Sequence, residues 1–191
     1  MIETAPKRGQ GNWIGVHALY WREVKRFLKI FPQTLLAPLV SSLLFLAIFA
    51  VAFGGADRVV AGTPFIEFLA PGLILMATIQ NAFANVSNSL MMAKLNENIV
   101  DTLMPPLTPS ELILGIAMGG ATRGILVAIV VGIGMAPFVS FTFANWPFIL
   151  FHGVAASLIL SLIGVMTAIW ADKFDHVATI TNFIVIPLTF M

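Results

Sequence analysis

From Thr34 to Phe53 the chain runs for twenty residues without one ionisable side chain. A helix rises about 1.5 Å per residue, so about 20 apolar residues match the roughly 30 Å of hydrocarbon in a bilayer. Four further apolar stretches follow, at Pro64–Met92, Pro109–Pro137, Trp146–Ala171 and Val177–Met191. Lipid offers backbone N–H and C=O groups no partner, so each stretch must satisfy them internally as a helix. Only 10% of the chain is charged, against roughly 25% in an ordinary soluble domain. The reading is an all-α, polytopic membrane protein with five spans in a single transmembrane domain over residues 32–191. The last stretch has fifteen residues and reaches only about 22 Å, so the chain is expected to stop inside its fifth span, as a C-terminally truncated sequence would.

Ahead of the spans, residues 1–12 are polar and read as a mobile tail. From Trp13 to Phe31, apolar residues recur at Trp13, Val16, Tyr20, Val24, Phe27 and Phe31, with Arg22, Lys25, Arg26 and Lys29 opposite. This is helical periodicity with a basic face, as in a helix lying in the membrane interface against anionic lipid. With the N-terminus inside, Lys7, Arg8, Arg22, Lys25, Arg26, Lys29, Lys94 and Lys173 all fall on the cytoplasmic side and only Arg58 falls outside. That asymmetry sets the expected orientation. Trp13, Trp21, Trp146 and Trp170 stand near the expected interfaces. The first thirty residues do not read as a secretory signal peptide, and the absence of cysteine rules out disulfides and thiol chemistry.

The polar turn VDTLMPPLTPSELILG (100–115) interrupts the oil. Thr108-Pro109-Ser110-Glu111 has the form of a capping box with proline at the first helical position, so the third span should begin sharply at Pro109. Pro105 and Pro106 end whatever precedes them. Before them, Lys94–Met104 places Leu95, Ile99 and Leu103 at helical spacing, with Asn96, Glu97, Asn98 and Asp101 around them. A short amphipathic helix at 94–104 is expected, where a plain hairpin would need fewer residues.

Inside the spans, Asn81, Asn85 and Asn88 share one face of the second helix, beside Gln80 and Ser89. Amides are costly against lipid, so this face bonds another helix or lines a polar path. Pro71-Gly72 is expected to kink the outer half of the same span. The third span carries Gly115, Gly119, Gly120 and Gly124, two G-x-x-x-G pairs that permit close packing within the chain or between two copies. Arg123 lies deep in that span and needs a carbonyl, a carboxylate or water, either to lock helices together or to meet an anionic substrate. His152 reads as a packed polar residue. No P-loop, no H-E-x-x-H and no G-x-S-x-G occurs, so neither ATP binding nor a familiar hydrolase site is expected in this chain, and no cofactor or metal. Near-absent intramembrane carboxylates argue against an ion-coupled carrier.

The segment KLNENIVDTLMPPLTPSELILGIAMGGATRG (94–124) resembles the region between the second and third spans of permease subunits of type-2 ATP-binding cassette (ABC) exporters. FLAPGLILMA (68–77) is similar to that family's Pro-Gly motif, and the basic N-terminal helix to its connecting helix. The resemblance covers essentially the whole chain, although such permeases have six spans. It implies that Lys94–Met104 is a coupling helix docking on a separate ATPase subunit, which carries ATP and Mg. The docking and transmitting residues would be Lys94, Glu97, Ile99, Asp101 and Leu103, with Thr108 and Glu111. It implies a second permease copy in a bacterial inner membrane, with no nucleic acid as partner, and export of a drug, lipid or polysaccharide. An intramembrane enzyme acting on a lipid-linked substrate, or a scaffold that transports nothing, are the competing readings.

Overall fold

The computed structural model describes residues 11–53, 59–60, 62–141 and 145–190. Lys7, Arg8 and Arg58, and nearly all of the expected mobile tail, lie outside the described residues. Helix α1 spans Trp13–Lys29. A π-helical turn at Pro32–Leu36 leads into α2, Ala37–Ala52. Proline lacks a donor and clashes with the preceding turn, which accounts for the irregular winding there. A two-residue hairpin, β1 (Val59–Val60) against β2 (Thr63–Pro64), then leads to α3, Phe65–Leu95. The remaining helices are α4 (Ile99–Leu103), α5 (Pro109–Met135), α6 (Trp146–Trp170), α7 (Phe174–Ile180) and α8 (Ile186–Thr189), the last two joined by a second π-helical turn at Thr181–Val185.

Among the described residues, four helices are long and apolar enough to cross a membrane: Pro32–Ala52, Phe65–Leu95, Pro109–Met135 and Trp146–Trp170. They coincide with the first four expected spans to within three residues. Where a fifth span was expected, at Val177–Met191, the described residues hold only a shorter apolar helix, Phe174–Thr189. Pro71 does not end α3, which continues through it as helix. A polytopic all-α membrane fold follows from these elements.

Small side chains place α3 at the centre. It packs against both α5 and α6, which also pack on each other, and α1 packs on α5. A Cβ built at Gly120 would fall 2.6 Å from Ser161 Oγ and 3.0 Å from the Ala82 carbonyl, and one at Gly124 2.9 Å from the Thr78 carbonyl. A Cβ at Gly164 would fall 2.9 Å from the Phe83 carbonyl. Without that much free space, the helices could not stand at this separation with any larger residue there. Gly115 and Gly119 face elsewhere, toward Leu19 and Glu23 of α1. The two G-x-x-x-G pairs are therefore both used within the chain, one against α1 and the other against α3 and α6. Hydroxyls in the spans turn back on their own helices: Thr78 donates to Ile74, Ser87 to Phe83, Ser157 to Gly153 and Thr167 to Ile163. That satisfies them without water.

Candidate functional site

The connection between α3 and α5 is compact and tied at both ends. Helix α3 runs on through Lys94 and Leu95, and Asn96 caps it. Glu97 takes a left-handed backbone, φ 59°, a conformation that non-glycine residues adopt sparingly. Only Ile99–Leu103 is then helical. The expected helix over Lys94–Met104 is thus divided: its first residues belong to the second span, and the Asn96-Glu97-Asn98 turn resets the direction. Asparagine amides compete with helical bonding, which is why the break falls there.

Thr108 then caps α5. Its amide donates to Glu111 Oε2 at 2.8 Å and its Oγ1 accepts from the Glu111 amide at 3.4 Å, the reciprocal pair of a capping box. The other oxygen of Glu111 accepts from the Asn12 amide at 2.7 Å. Asn12 in turn caps α1 by accepting from Gly15 at 3.0 Å. Further along α1, Arg22 donates to the buried Thr102 hydroxyl at 3.1 Å. Lys94 donates to the carbonyls of Ile169 and Ala171, at 2.7 and 3.0 Å, and so closes the end of α6. One end of the bundle is thereby knitted together around α4.

The outer surface of α4 is apolar with acidic neighbours. Val100 is 56%, Leu103 60% and Met104 75% exposed, and Glu97 and Asp101 are exposed beside them. Ile99 turns the other way and packs with Leu107, Leu112 and Ile113 against the buried cluster of Val86, Leu90 and Ile116. The spacing groups Ile99 with Leu103 on one side, yet Ile99 is half-buried in this cluster while Leu103 is 60% exposed.

The second constellation is a cavity of about 650 Å³ between α1, the start of α2 and α3, with Arg123 of α5 on its wall. The structure brings Asn81, Asn85 and Asn88 together along it. Arg123 donates to Asn81 Oδ1 at 3.1 Å, and Arg26 donates to both Oδ1 and the carbonyl of Asn85, at 3.1 and 3.0 Å. Arg26 is paired with Glu23 at 3.0 Å, and Ser89 donates to the same carboxylate oxygen at 2.9 Å. Burial draws the Arg26 guanidinium below its ordinary pKa, and the Glu23 carboxylate partly opposes that. Asn85 Nδ2 and Arg123 Nε are buried without a hydrogen-bond partner.

Glu23 is absent from the sequence reading, which counted only the cations of its helix. It is 3% exposed and is the acid on which the network turns. Arginines at i−1 and i+3 were the available signal. The buried face of α1 is Val16, Leu19, Glu23, Val24 and Phe27, whereas Trp13 and Phe31 from the expected apolar face are 71% and 51% exposed. The helix buries this face on protein, chiefly on α5. His152, expected as a packed polar residue, is instead exposed, with its ring tilted at 38° against Phe148 and the centroids 3.9 Å apart.

With that geometry in view, comparison with known proteins is informative. The ABC-2 type transporter family matches residues 15–191. The chain is similar to the inner membrane transport permease YadH of Escherichia coli strain K12, at 32% identity over 179 residues, covering 94% of this chain and 70% of that protein. The proteins of the same name from Escherichia coli O157:H7 and Shigella flexneri give the same figures. No solved structure matches the chain.

Proposed function

The chain belongs to the ABC-2 type transporter family, and from that premise we propose that it works as the permease of an ATP-driven exporter, energised by a separate ATPase subunit. That it is an integral membrane transport permease subunit follows from the family and from its apolar spanning helices. The direction of transport, the ATPase partner, a second permease copy, ATP and Mg on the partner, a bacterial inner membrane location and a cytoplasmic N-terminus complete the proposal. A drug, lipid or polysaccharide remains the substrate class implied.

The observation that supports this reading best is α4. Its exposed Val100, Leu103 and Met104, flanked by Glu97 and Asp101, make an apolar patch with an acidic rim. Unlike the apolar sides of the spans, this patch sits on a polar turn, where lipid would not cover it. Through Arg22–Thr102 α4 is bonded to α1, Asn12–Glu111 ties α1 in turn to α5, and the chain leads from α4 into α5 through the cap at Thr108. A push on α4 would therefore reach α1 and α5 together. The residues proposed for ATPase contact are Glu97, Val100, Asp101, Leu103 and Met104. Ile99 acts from inside by holding α4 down, Lys94 by anchoring α6, and Thr108 and Glu111 by transmitting.

The test is capture of the ATPase subunit by the tagged permease, with ATP hydrolysis measured in proteoliposomes. Glu97→Lys with Asp101→Lys, or Leu103→Asp with Met104→Asp, should weaken capture while leaving the permease folded, since these side chains face outward. Capture and hydrolysis at wild-type levels in both double variants would remove α4 as the contact.

A further inference from the structure

We propose that the cavity between α1, α2 and α3 binds the charged head of an anionic amphiphile, a phosphate or carboxylate on an apolar tail, with Arg123 as its principal counter-charge. As a statement of substrate class this rests on the permease reading, but binding can be measured without any ATPase.

Arg123 stands fourteen residues into α5, roughly 21 Å from the cap at 1.5 Å per residue. A cation at that depth is costly unless it is compensated. Among the described residues its acceptor is the Asn81 carboxamide oxygen and it forms no ion pair. A guanidinium carries five N–H donors, and here Nε is buried and unpartnered. On the same wall Asn85, 1% exposed, leaves Nδ2 unpartnered while its oxygen is already taken by Arg26. The buried polar atoms left unpartnered at this cavity, Arg123 Nε and Asn85 Nδ2, are both donors. A ligand that completes them must be rich in acceptors and, opposite Arg123, negatively charged. Oxyanions meet both conditions.

Two further features give the ligand a tail and a way in. Along the cavity, polar groups at Asn85–Ser89 give way to Leu73 and Met76 of α3 and Phe45 of α2. A head bound by Arg123 would lay its apolar part along that end. At the opposite end a second cavity, about 510 Å³, is lined by Arg22, Lys25 and Lys29 and shares Arg26, Ser89 and Met92 with the first. Its surplus of cations over Glu23 and Asp101 attracts an anion to the entrance. The Glu23–Arg26 pair lies where the two cavities meet, and because Glu23 already neutralises Arg26, Arg123 is left as the charge for the ligand.

The experiment is a titration of the purified full chain, in uncharged detergent, with phosphatidic acid bearing a fluorescent tail, read by anisotropy. Saturable binding is expected. Phosphatidylcholine with the same tail should bind about tenfold more weakly or worse, and Arg123→Gln should cost about the same factor, the scale of one charge-assisted contact. Arg123→Lys should keep most of the affinity. Should Arg123→Gln fold poorly, Ser41→Trp provides an independent test. Ser41 is exposed at the cavity's edge on α2, and an indole there should block binding while Arg123 stays in place. Equal affinity in wild type, Arg123→Gln and Ser41→Trp overturns the site. Displacement by inorganic phosphate, with no gain from the tail, assigns the cavity to a soluble anion and overturns the amphiphile. Binding that obeys these rules in a protein that transports nothing supports the site and counts against the permease reading alone.

Discussion

The backbone amide of Asn12 donates to Glu111 Oε1 at 2.7 Å across 99 residues of chain, so a single carboxylate caps two helices. Glu111→Ala should therefore cost more than Thr108→Ala. Losing one N-cap costs about 1 kcal/mol, and Glu111→Ala removes the acceptor for α1 as well as for α5. In a thermal unfolding series the order should be wild type, Thr108→Ala, Glu111→Ala. A cysteine at Gly11, in a chain that has none of its own, should react with maleimide faster in the Glu111→Ala background.

Glu23 and Arg26 should behave as a unit. Breaking a buried pair by removing one partner costs about 3–5 kcal/mol, an upper figure here because the Arg26 side chain keeps 39% of its exposure. Glu23→Leu should lower the yield of monodisperse protein after heating, and Glu23→Leu with Arg26→Leu should recover part of the loss. If the double variant is as poor as the sum of the singles, the pair is not coupled.

The glycines divide into those that are needed and those that are not. Gly120→Ala places a methyl beside Val86, Ser161 and the Ala82 carbonyl, and such overpacking costs about 1–3 kcal/mol. Gly153, also inside a helix, has nothing within 4 Å of its missing Cβ. Gly153→Ala should stabilise by up to about 1 kcal/mol through helix propensity. Thermal midpoints of the two variants should move in opposite directions.

The proposed orientation makes a labelling prediction. Val59 is 62% exposed in the hairpin after the first span, and Asn98 is exposed in the turn before α4. With one span-length helix between them, Val59→Cys should react with a membrane-impermeant maleimide in intact cells and Asn98→Cys only after permeabilisation. Labelling of both from outside would refute a cytoplasmic N-terminus.

How much of this was legible in advance depends on the range of the interaction. Spans could be read because the solvent imposes them: a backbone in lipid must close its own hydrogen bonds, and length follows from bilayer thickness. The cap at Thr108–Glu111 was readable because its partners lie three residues apart. What tertiary structure alone decided were the contacts between distant segments. Periodicity on α1 cannot distinguish lipid from protein as the medium that buries a face, and it was the room left by Gly115 and Gly119 of α5 that made it protein. The same spacing of glycines allowed packing within the chain or between copies, and only the meeting of four helices assigned both pairs inward. Arg123 announced that it needed an acceptor, but whether that would be a carboxylate, a carbonyl or an amide depended on what α3 set opposite it. It set Asn81 there, a neutral acceptor, and so left the cation's charge unpaired at a cavity wall.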